Sequence, residues 1–287
     1  MFVPSPTVSA GWLEAHLDAV TIVDTRWYLD GRFGRAAYDA GHIPGAVFLD
    51  LDHDLSAPPS AVGGRHPLPA PAAFAEALAR VGIGDHTPVV VYDDGGGSVA
   101  ARLWWLLRSL GDKVAVLDGG VGAWCGPLVR DSVPSTRAQR TPRPWPETHF
   151  VDIDAVDELR SDPAVLLLDA RSASRYEAGD PALDPRPGHI PGARSAPWLE
   201  NLDPLAPEFL PRVELRRRYE ALGVADADVI VAYCGSGVTA CHDLLALELA
   251  GFSNTKLFPG SWSAWGADDR RPAETGGHVL GTSTITS

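Results

Sequence analysis

The sequence has few of the features that mark secreted, membrane-spanning or metal-binding proteins. Its three cysteines, Cys125, Cys234 and Cys241, are an odd and sparse set that forms neither a disulfide framework nor a Cys-x-x-Cys metal motif. The opening segment MFVPSPTVSAGWLEAHLDAV has no basic start and no long apolar run, so neither a secretory signal nor a membrane span is predicted. We therefore expect a cytoplasmic protein that does not act at a membrane.

Positive charge and phosphate-binding motifs are also scarce. The 287 residues carry a formal net charge of −13, which argues against nucleic acid as a partner. There is no phosphate-loop lysine motif, and no cluster of histidine, cysteine and carboxylate residues has metal-ligand spacing. We expect no metal, no nucleotide and no other cofactor, and any arginine that binds an anion must do so in a local pocket.

The sequence does contain a long internal repeat. GHIPGA occurs at 41–46 and again, residue for residue, at 188–193. Upstream of the two copies lie the apolar runs TIVDTR and VLLLDAR, and downstream lie VVVYDD and VIVAYC. The halves then end in the similar tails VLDGGVGAW and LFPGSWSAW. The chain is therefore predicted to be a duplication of one fold.

Each half is predicted to be an α/β domain with a mainly parallel sheet between two layers of helices. Its apolar runs are short and do not alternate, and helical stretches such as PAAFAEALARVG and RVELRRRYEALGV separate them. We place the first domain at 1–125, a proline-rich linker at 126–148, and the second domain at 149–275. The polar, Gly/Thr-rich end at 276–287 is expected to be a disordered tail.

Cys234 is the strongest candidate for a functional residue. The segment YCGSGVTACHDLL places it between an apolar strand and a helix that starts near Thr239, where doubly wound sheets bind ligands. Gly235 and Gly237 permit a tight loop whose backbone N–H groups converge on the sulfur, and the helix N-terminus adds positive potential. These features favour a nucleophilic thiolate and would hold a persulfide anion in the same way, whereas a buried structural cysteine is the alternative.

The remaining candidates have weaker claims to a chemical role. Cys241 lies two turns inside the following helix, which predicts a packing role, and Cys125 is assigned no role. In the first half the position equivalent to Cys234 is Asp93, so that half is predicted to carry no persulfide. Four further residues occur in both halves although only one half has the thiol, which favours structural roles for Asp24, Asp169, His42 and His189.

A thiol in the second of two copies and a carboxylate in the first resembles the tandem rhodanese family, and the resemblance covers nearly the whole chain. CGSGVTA is similar to the loop of 3-mercaptopyruvate sulfurtransferases, whereas thiosulfate enzymes of animals carry basic residues directly after the cysteine. The resemblance implies two rhodanese-like domains, sulfur transfer through a Cys234 persulfide, release of pyruvate, and no cofactor. Its partners would be a small sulfur donor and a thiophilic acceptor: cyanide, a thiol or a thioredoxin-like protein. Thiosulfate is the alternative preferred donor.

The same resemblance implies roles for further residues. Arg175 and Arg186 would clamp the carboxylate of the donor, which a planar guanidinium can pair with at both oxygens. Ser236, His66 and Asp52 would form a proton relay, with the last two supplied by the first domain. The loop residues predicted to contact substrate are Gly235, Gly237, Val238 and Thr239.

Two other classes of function compete with this interpretation. A cysteine phosphatase or arsenate reductase would need an arginine closing a longer loop, but the sixth residue after Cys234 is Ala240. A non-catalytic interaction module or persulfide sensor is the second competitor. The intact cysteine loop and the presence of Arg175 and Arg186 argue against it.

Overall fold

Two parallel sheets, one in each half of the chain, form the framework of the computed structural model, which describes residues 3–4, 6–131 and 135–277. The first sheet has the order β1-β5-β4-β2-β3. Its strands are β1 (Thr7–Val8), β2 (Thr21–Asp24), β3 (Val47–Phe48), β4 (Val89–Tyr92) and β5 (Val114–Leu117). The helices of this half are α1 (Ala10–Glu14), α2 (Gly34–Ala40), α3 (Pro71–Arg80) and α4 (Ala100–Ser109).

The second sheet repeats the pairing of the first with the order β7-β6-β8-β9. A single parallel bridge between Phe150 and Leu257 takes the place of the β1 edge. The strands are β6 (Val165–Asp169), β7 (Arg194–Ser195), β8 (Val229–Tyr233) and β9 (Thr255–Leu257). The helices are α5 (Ile153–Leu159), α6 (Ala173–Ala178), α7 (Arg212–Ala221), α8 (Ala240–Ala250) and α9 (Ser261–Trp265). The predicted duplication and α/β class are confirmed.

The strands are buried on both faces, which explains why their sequences do not alternate between apolar and polar residues. In β4, Val89 and Val91 pack into a core layer between the two sheets, while Val90 and Tyr92 face a separate core on the outer side. The central layer also includes α4 and α8, which pack against each other across the domain boundary. The two halves therefore share one continuous hydrophobic core.

The repeated GHIPGA turns are held by the residues that both halves retain. In the second half, Arg171 pairs with Asp169 and donates a hydrogen bond to the carbonyl of Gly188 at 2.8 Å. His189 stacks on Tyr176 with ring centroids 3.6 Å apart. The first half repeats these contacts with Arg26, Asp24, Gly41, His42 and Tyr38. These contacts are the ones expected of residues with a structural role.

The predicted linker contains no helix or strand in its described parts, 126–131 and 135–148, apart from a bridge between Val129 and His42. The proposed bounds at 125, 148 and 275 stay predictions. The expected disordered tail lies outside the described residues except for 276 and 277. Within the described residues, no helix is both long and apolar enough to cross a membrane.

Candidate active site

The loop after β8 wraps around the sulfur of Cys234. The backbone N–H of Gly237 lies 3.1 Å from this sulfur and that of Ser236 lies 3.5 Å from it. The backbone of Cys234 is itself fixed, because its N–H donates to Ser261 Oγ at 3.1 Å and its carbonyl accepts from Trp262 N–H at 2.9 Å. The loop therefore places two N–H dipoles on the sulfur, as a thiolate or persulfide anion requires.

Gly237 is needed for the shape of this loop. Its φ is +78°, and a Cβ atom added there would lie 2.6 Å from the carbonyl oxygen of Pro259. The helix α8 begins three residues later, at Ala240, with Thr239 as its N-cap. Helix start and glycine loop lie where the sequence predicted them, so the positive end of an 11-residue helix points toward Cys234.

Ser236, His66 and Asp52 form one hydrogen-bonded chain across the domain boundary. Ser236 Oγ lies 2.8 Å from His66 Nδ1, and His66 Nε2 lies 3.0 Å from Asp52 Oδ1. The other oxygen of Asp52 accepts from the indole N–H of Trp27 at 2.8 Å. The structure thus brings together the three residues that the resemblance had proposed, although their catalytic role stays a prediction.

The partners of His66 define which of its nitrogens carries the proton. A carboxylate oxygen can only accept, so Nε2 donates to Asp52 and Nδ1 accepts from the hydroxyl of Ser236. Burial lowers the pKa of His66 to about 4, with Asp52 partly opposing that shift. His66 is therefore neutral at pH 7, and its free lone pair points at the hydroxyl of Ser236.

A cavity of about 480 Å³ opens beside Cys234 between the two domains. The first domain contributes Trp27, Leu29, Arg65, His66, Ser98 and Val99 to its wall. From the second domain, the predicted residues Cys234, Ser236, Gly235, Val238, Thr239 and Arg175 line it. Gly237 does not line the cavity but points its N–H at the sulfur. The cavity is large enough for a small organic sulfur compound.

Of the two predicted clamp arginines, only Arg175 lines this cavity. Its guanidinium forms a fork with Asp184, at 3.0 Å and 2.5 Å, and lies next to Gly235. Arg186 instead donates to the carbonyl of Arg271 at 2.6 Å and lies over the ring of Trp262. The substrate contact predicted for Arg186 therefore stays a prediction without a supporting contact in this structure.

Two further arginines at the site were not anticipated from the sequence. Arg65 lines the cavity directly before His66 in the chain, and its proximity to that residue was the available signal. Arg102, in α4, is fully buried and donates to the carbonyl of Gly237 at 3.1 Å. It also donates to the carbonyls of His66 and Pro67, at 3.1 and 3.2 Å. Arg102, a side chain of the first domain, thus fixes both the loop around Cys234 and the loop segment that carries His66.

In the first half, a carboxylate fills the position of the sulfur. Asp93 accepts hydrogen bonds from four backbone N–H groups, at 2.8 to 2.9 Å, from Gly95, Gly97, Val99 and Ala100. Leu202 of the second domain packs against this loop so closely that a Cβ at Gly96 would lie 2.5 Å from its side chain. The loop also receives a contact from α8, where His242 Nε2 donates to the carbonyl of Gly96 at 3.0 Å.

The other two cysteines have different surroundings. Cys241 is fully buried, its thiol donates to the carbonyl of Gly237 at 3.4 Å, and burial raises its pKa to about 12. It is therefore neutral at pH 7, in keeping with a packing role. Cys125 is exposed and lies outside the cavity.

Comparisons with known proteins identify the family of the chain. The rhodanese-like domain model matches twice, at residues 9–126 and 152–268. A probable 3-mercaptopyruvate sulfurtransferase of Pseudomonas aeruginosa is 44% identical over 89% of this chain and 92% of that protein. The 3-mercaptopyruvate sulfurtransferase of Escherichia coli is 36% identical over 93% and 97%. The solved 3-mercaptopyruvate sulfurtransferase of Leishmania major has a TM-score of 0.81 at 31% identity, over 94% of this chain and 77% of that one. The chain therefore belongs to the rhodanese family and is a sulfurtransferase with two tandem domains.

Proposed function

We propose that this sulfurtransferase takes sulfur from 3-mercaptopyruvate, carries it as a persulfide on Cys234, and releases pyruvate. The observation that carries the choice of donor is the hydrogen-bonded chain from Ser236 through His66 to Asp52. A mercaptan donor needs a proton relay, because its thiol proton must leave the sulfur and its product must gain a proton at carbon. Thiosulfate carries no such proton, and sulfite leaves without needing one.

The chemistry balances without a cofactor. The thiolate of Cys234 attacks the donor sulfur, an S–S bond forms, and the C–S bond breaks with its electron pair left on the pyruvate carbon. The thiol proton passes to Ser236 while the lone pair on His66 Nδ1 takes the serine proton, and the same path returns a proton to the enolate. The products are pyruvate and a Cys234 persulfide, which the N–H groups of Ser236 and Gly237 are placed to hold.

The persulfide would then pass its outer sulfur to a thiophilic acceptor. The cavity is open to a small acceptor such as cyanide or a thiol, and we keep a thioredoxin-like protein as the macromolecular candidate. Because a covalent intermediate separates the two half-reactions, ping-pong kinetics are expected.

Thiosulfate is the second candidate donor, and one observation favours it. The guanidinium groups of both Arg65 and Arg175 lie at the mouth of the cavity, next to Gly235, where a doubly charged anion could bind. The loop itself is neutral at Gly235 and Ser236, which favours the singly charged carboxylate of 3-mercaptopyruvate.

The deciding experiment is sulfur transfer to cyanide from both donors in parallel, with Cys234→Ser as the blank. We expect a higher kcat/KM for 3-mercaptopyruvate, and we expect Ser236→Ala to lower it about 100-fold or more while sparing thiosulfate. If Ser236→Ala lowers both donors equally, the hydroxyl supports the loop and not a proton transfer. If thiosulfate is the better donor for the wild-type protein, the donor assignment fails.

A further inference from the structure

Among the described residues, Arg65 is the only arginine that the first domain contributes to the wall of the cavity. It comes from the first domain, yet its backbone N–H donates to Ser263 Oγ at 3.0 Å and its Nη1 donates to the carbonyl of Leu183 at 2.7 Å, both in the second domain. These contacts fix the guanidinium on the far side of the domain boundary. Its Nη2 lies 3.0 Å from the position that a Cβ of Gly235 would occupy, one residue from Cys234.

Among the described residues, Arg65 is the one arginine in the cavity wall that forms no ion pair with a carboxylate. Arg171 is paired with Asp169, and Arg175 is paired with Asp184. In the described part of the chain, Arg65 forms no ion pair with a carboxylate, and its buried Nε has no hydrogen-bond partner. Burial, with a smaller contribution from the neighbouring Arg175, lowers the pKa of Arg65, while Cys234 and Asp184 partly oppose that shift. An anion bound at the mouth would supply the missing negative charge.

We propose that Arg65 binds the carboxylate of the sulfur donor beside Arg175, so that the thiol-free domain contributes to the choice of donor. The inference rests on the proposed function for the identity of the donor, but not for the binding of an anion. Arg175 shares its guanidinium with Asp184, and Arg186 is committed to backbone carbonyls. In the described part of the chain, no protein group accepts a hydrogen bond from Nη2 of Arg65, which lies beside Gly235 in the cavity wall.

Alkylation of Cys234 tests the anion site without any sulfur donor. Iodoacetate and iodoacetamide both form an S–C bond and release iodide, but only iodoacetate carries a carboxylate. The test uses a Cys125→Ser background, so that Cys125 does not react. We expect Arg65→Gln to lower the ratio of the iodoacetate rate to the iodoacetamide rate about tenfold, because losing a hydrogen bond to a charged group typically weakens binding by about that factor. Arg35→Gln is the matched control, because it removes an exposed arginine of the same domain that is paired with Asp39.

The iodoacetamide rate reports whether the loop is intact in each variant. A ratio that falls equally in Arg65→Gln and Arg35→Gln, or in neither, overturns the proposal. Arg65→Lys should give an intermediate ratio, because it retains the charge but not the planar fork.

Steady-state kinetics test the same residue with a donor. 1-Mercaptopropan-2-one has the thiol and ketone of 3-mercaptopyruvate but a methyl group where that donor has its carboxylate. Arg65→Gln should lower kcat/KM for 3-mercaptopyruvate about tenfold, chiefly by raising KM, and should change the neutral donor less than twofold. An equal loss with both donors would show that Arg65 supports Cys234 or the loop and would refute the proposal. If the wild-type enzyme prefers thiosulfate, the proposed function fails, whereas the alkylation ratio still decides the role of Arg65.

Discussion

The buried, neutral state of His66 predicts how the stability of the protein depends on pH. Its pKa is about 4 in the folded protein, against a reference value of 6.5 for an exposed histidine. Between these values the unfolded chain binds a proton that the folded protein does not, so the stabilisation is complete above pH 6.5 and is lost as the pH falls toward 4. From these two pKa values, the contribution of His66 falls by about 2 kcal/mol between pH 7 and pH 5.

The measurement is the free energy of unfolding in urea at pH 7 and pH 5, for the wild-type protein and for His66→Gln. Glutamine retains hydrogen-bonding groups but does not titrate, so the loss of stability on acidification should be about 2 kcal/mol smaller in the variant. His242, whose pKa burial lowers to about 3, contributes a similar loss in both proteins and cancels in the comparison. An identical loss in both proteins would refute the assignment of His66 as a buried neutral group. The wild-type enzyme should also show no fall in kcat/KM with an apparent pKa near 6.5.

Three further predictions concern the loop and its supports. Gly237→Ala should reduce kcat at least about tenfold, because the new Cβ displaces the N–H from the sulfur, whereas Gly45→Ala, which has the same left-handed backbone in open space, should cost about 1 kcal/mol of stability and spare kcat. Arg102→Leu should lower the free energy of unfolding by about 3 kcal/mol or more, since it leaves several buried carbonyls without donors; a loss below about 1 kcal/mol in urea unfolding would contradict this. Maleimide at pH 8 should label the exposed Cys125 and also Cys234, which lines the cavity, but not the fully buried Cys241, and labelled Cys241 in peptide mass spectrometry would contradict this.

The fold could be predicted from sequence because the repeat made each half a check on the other. The same order of apolar run, GHIPGA turn and second apolar run occurs twice, and both sheets show the same strand pairing. Cys234 could be found because it lies in a glycine loop between a buried strand and a helix, where doubly wound sheets bind ligands. These inferences depend on local chemistry, which a sequence records directly.

The arginines could not be assigned in this way, because the direction of a long side chain depends on contacts far away in the sequence. Arg186 is placed beside the second GHIPGA turn as expected, but Trp262 and the carbonyl of Arg271 draw its guanidinium elsewhere. Arg65 reaches the cavity because the loop before it packs against the second domain, where a Cβ at Gly64 would lie 2.4 Å from the carbonyl oxygen of Gly260. Such a close approach between residues nearly 200 positions apart leaves no local signal.

The loop in the first half holds the carboxylate of Asp93, a side chain that the proposed reaction does not alter. In the proposed cycle, the loop around Cys234 alternates between a bare sulfur and a longer persulfide, so its contents change in size at every turnover. The two loops are braced reciprocally, since Arg102 of the first domain contacts the carbonyl of Gly237 and His242 of the second contacts that of Gly96. Each domain therefore supports the loop of the other, and in the proposed cycle only the loop around Cys234 must accommodate a change in what it holds.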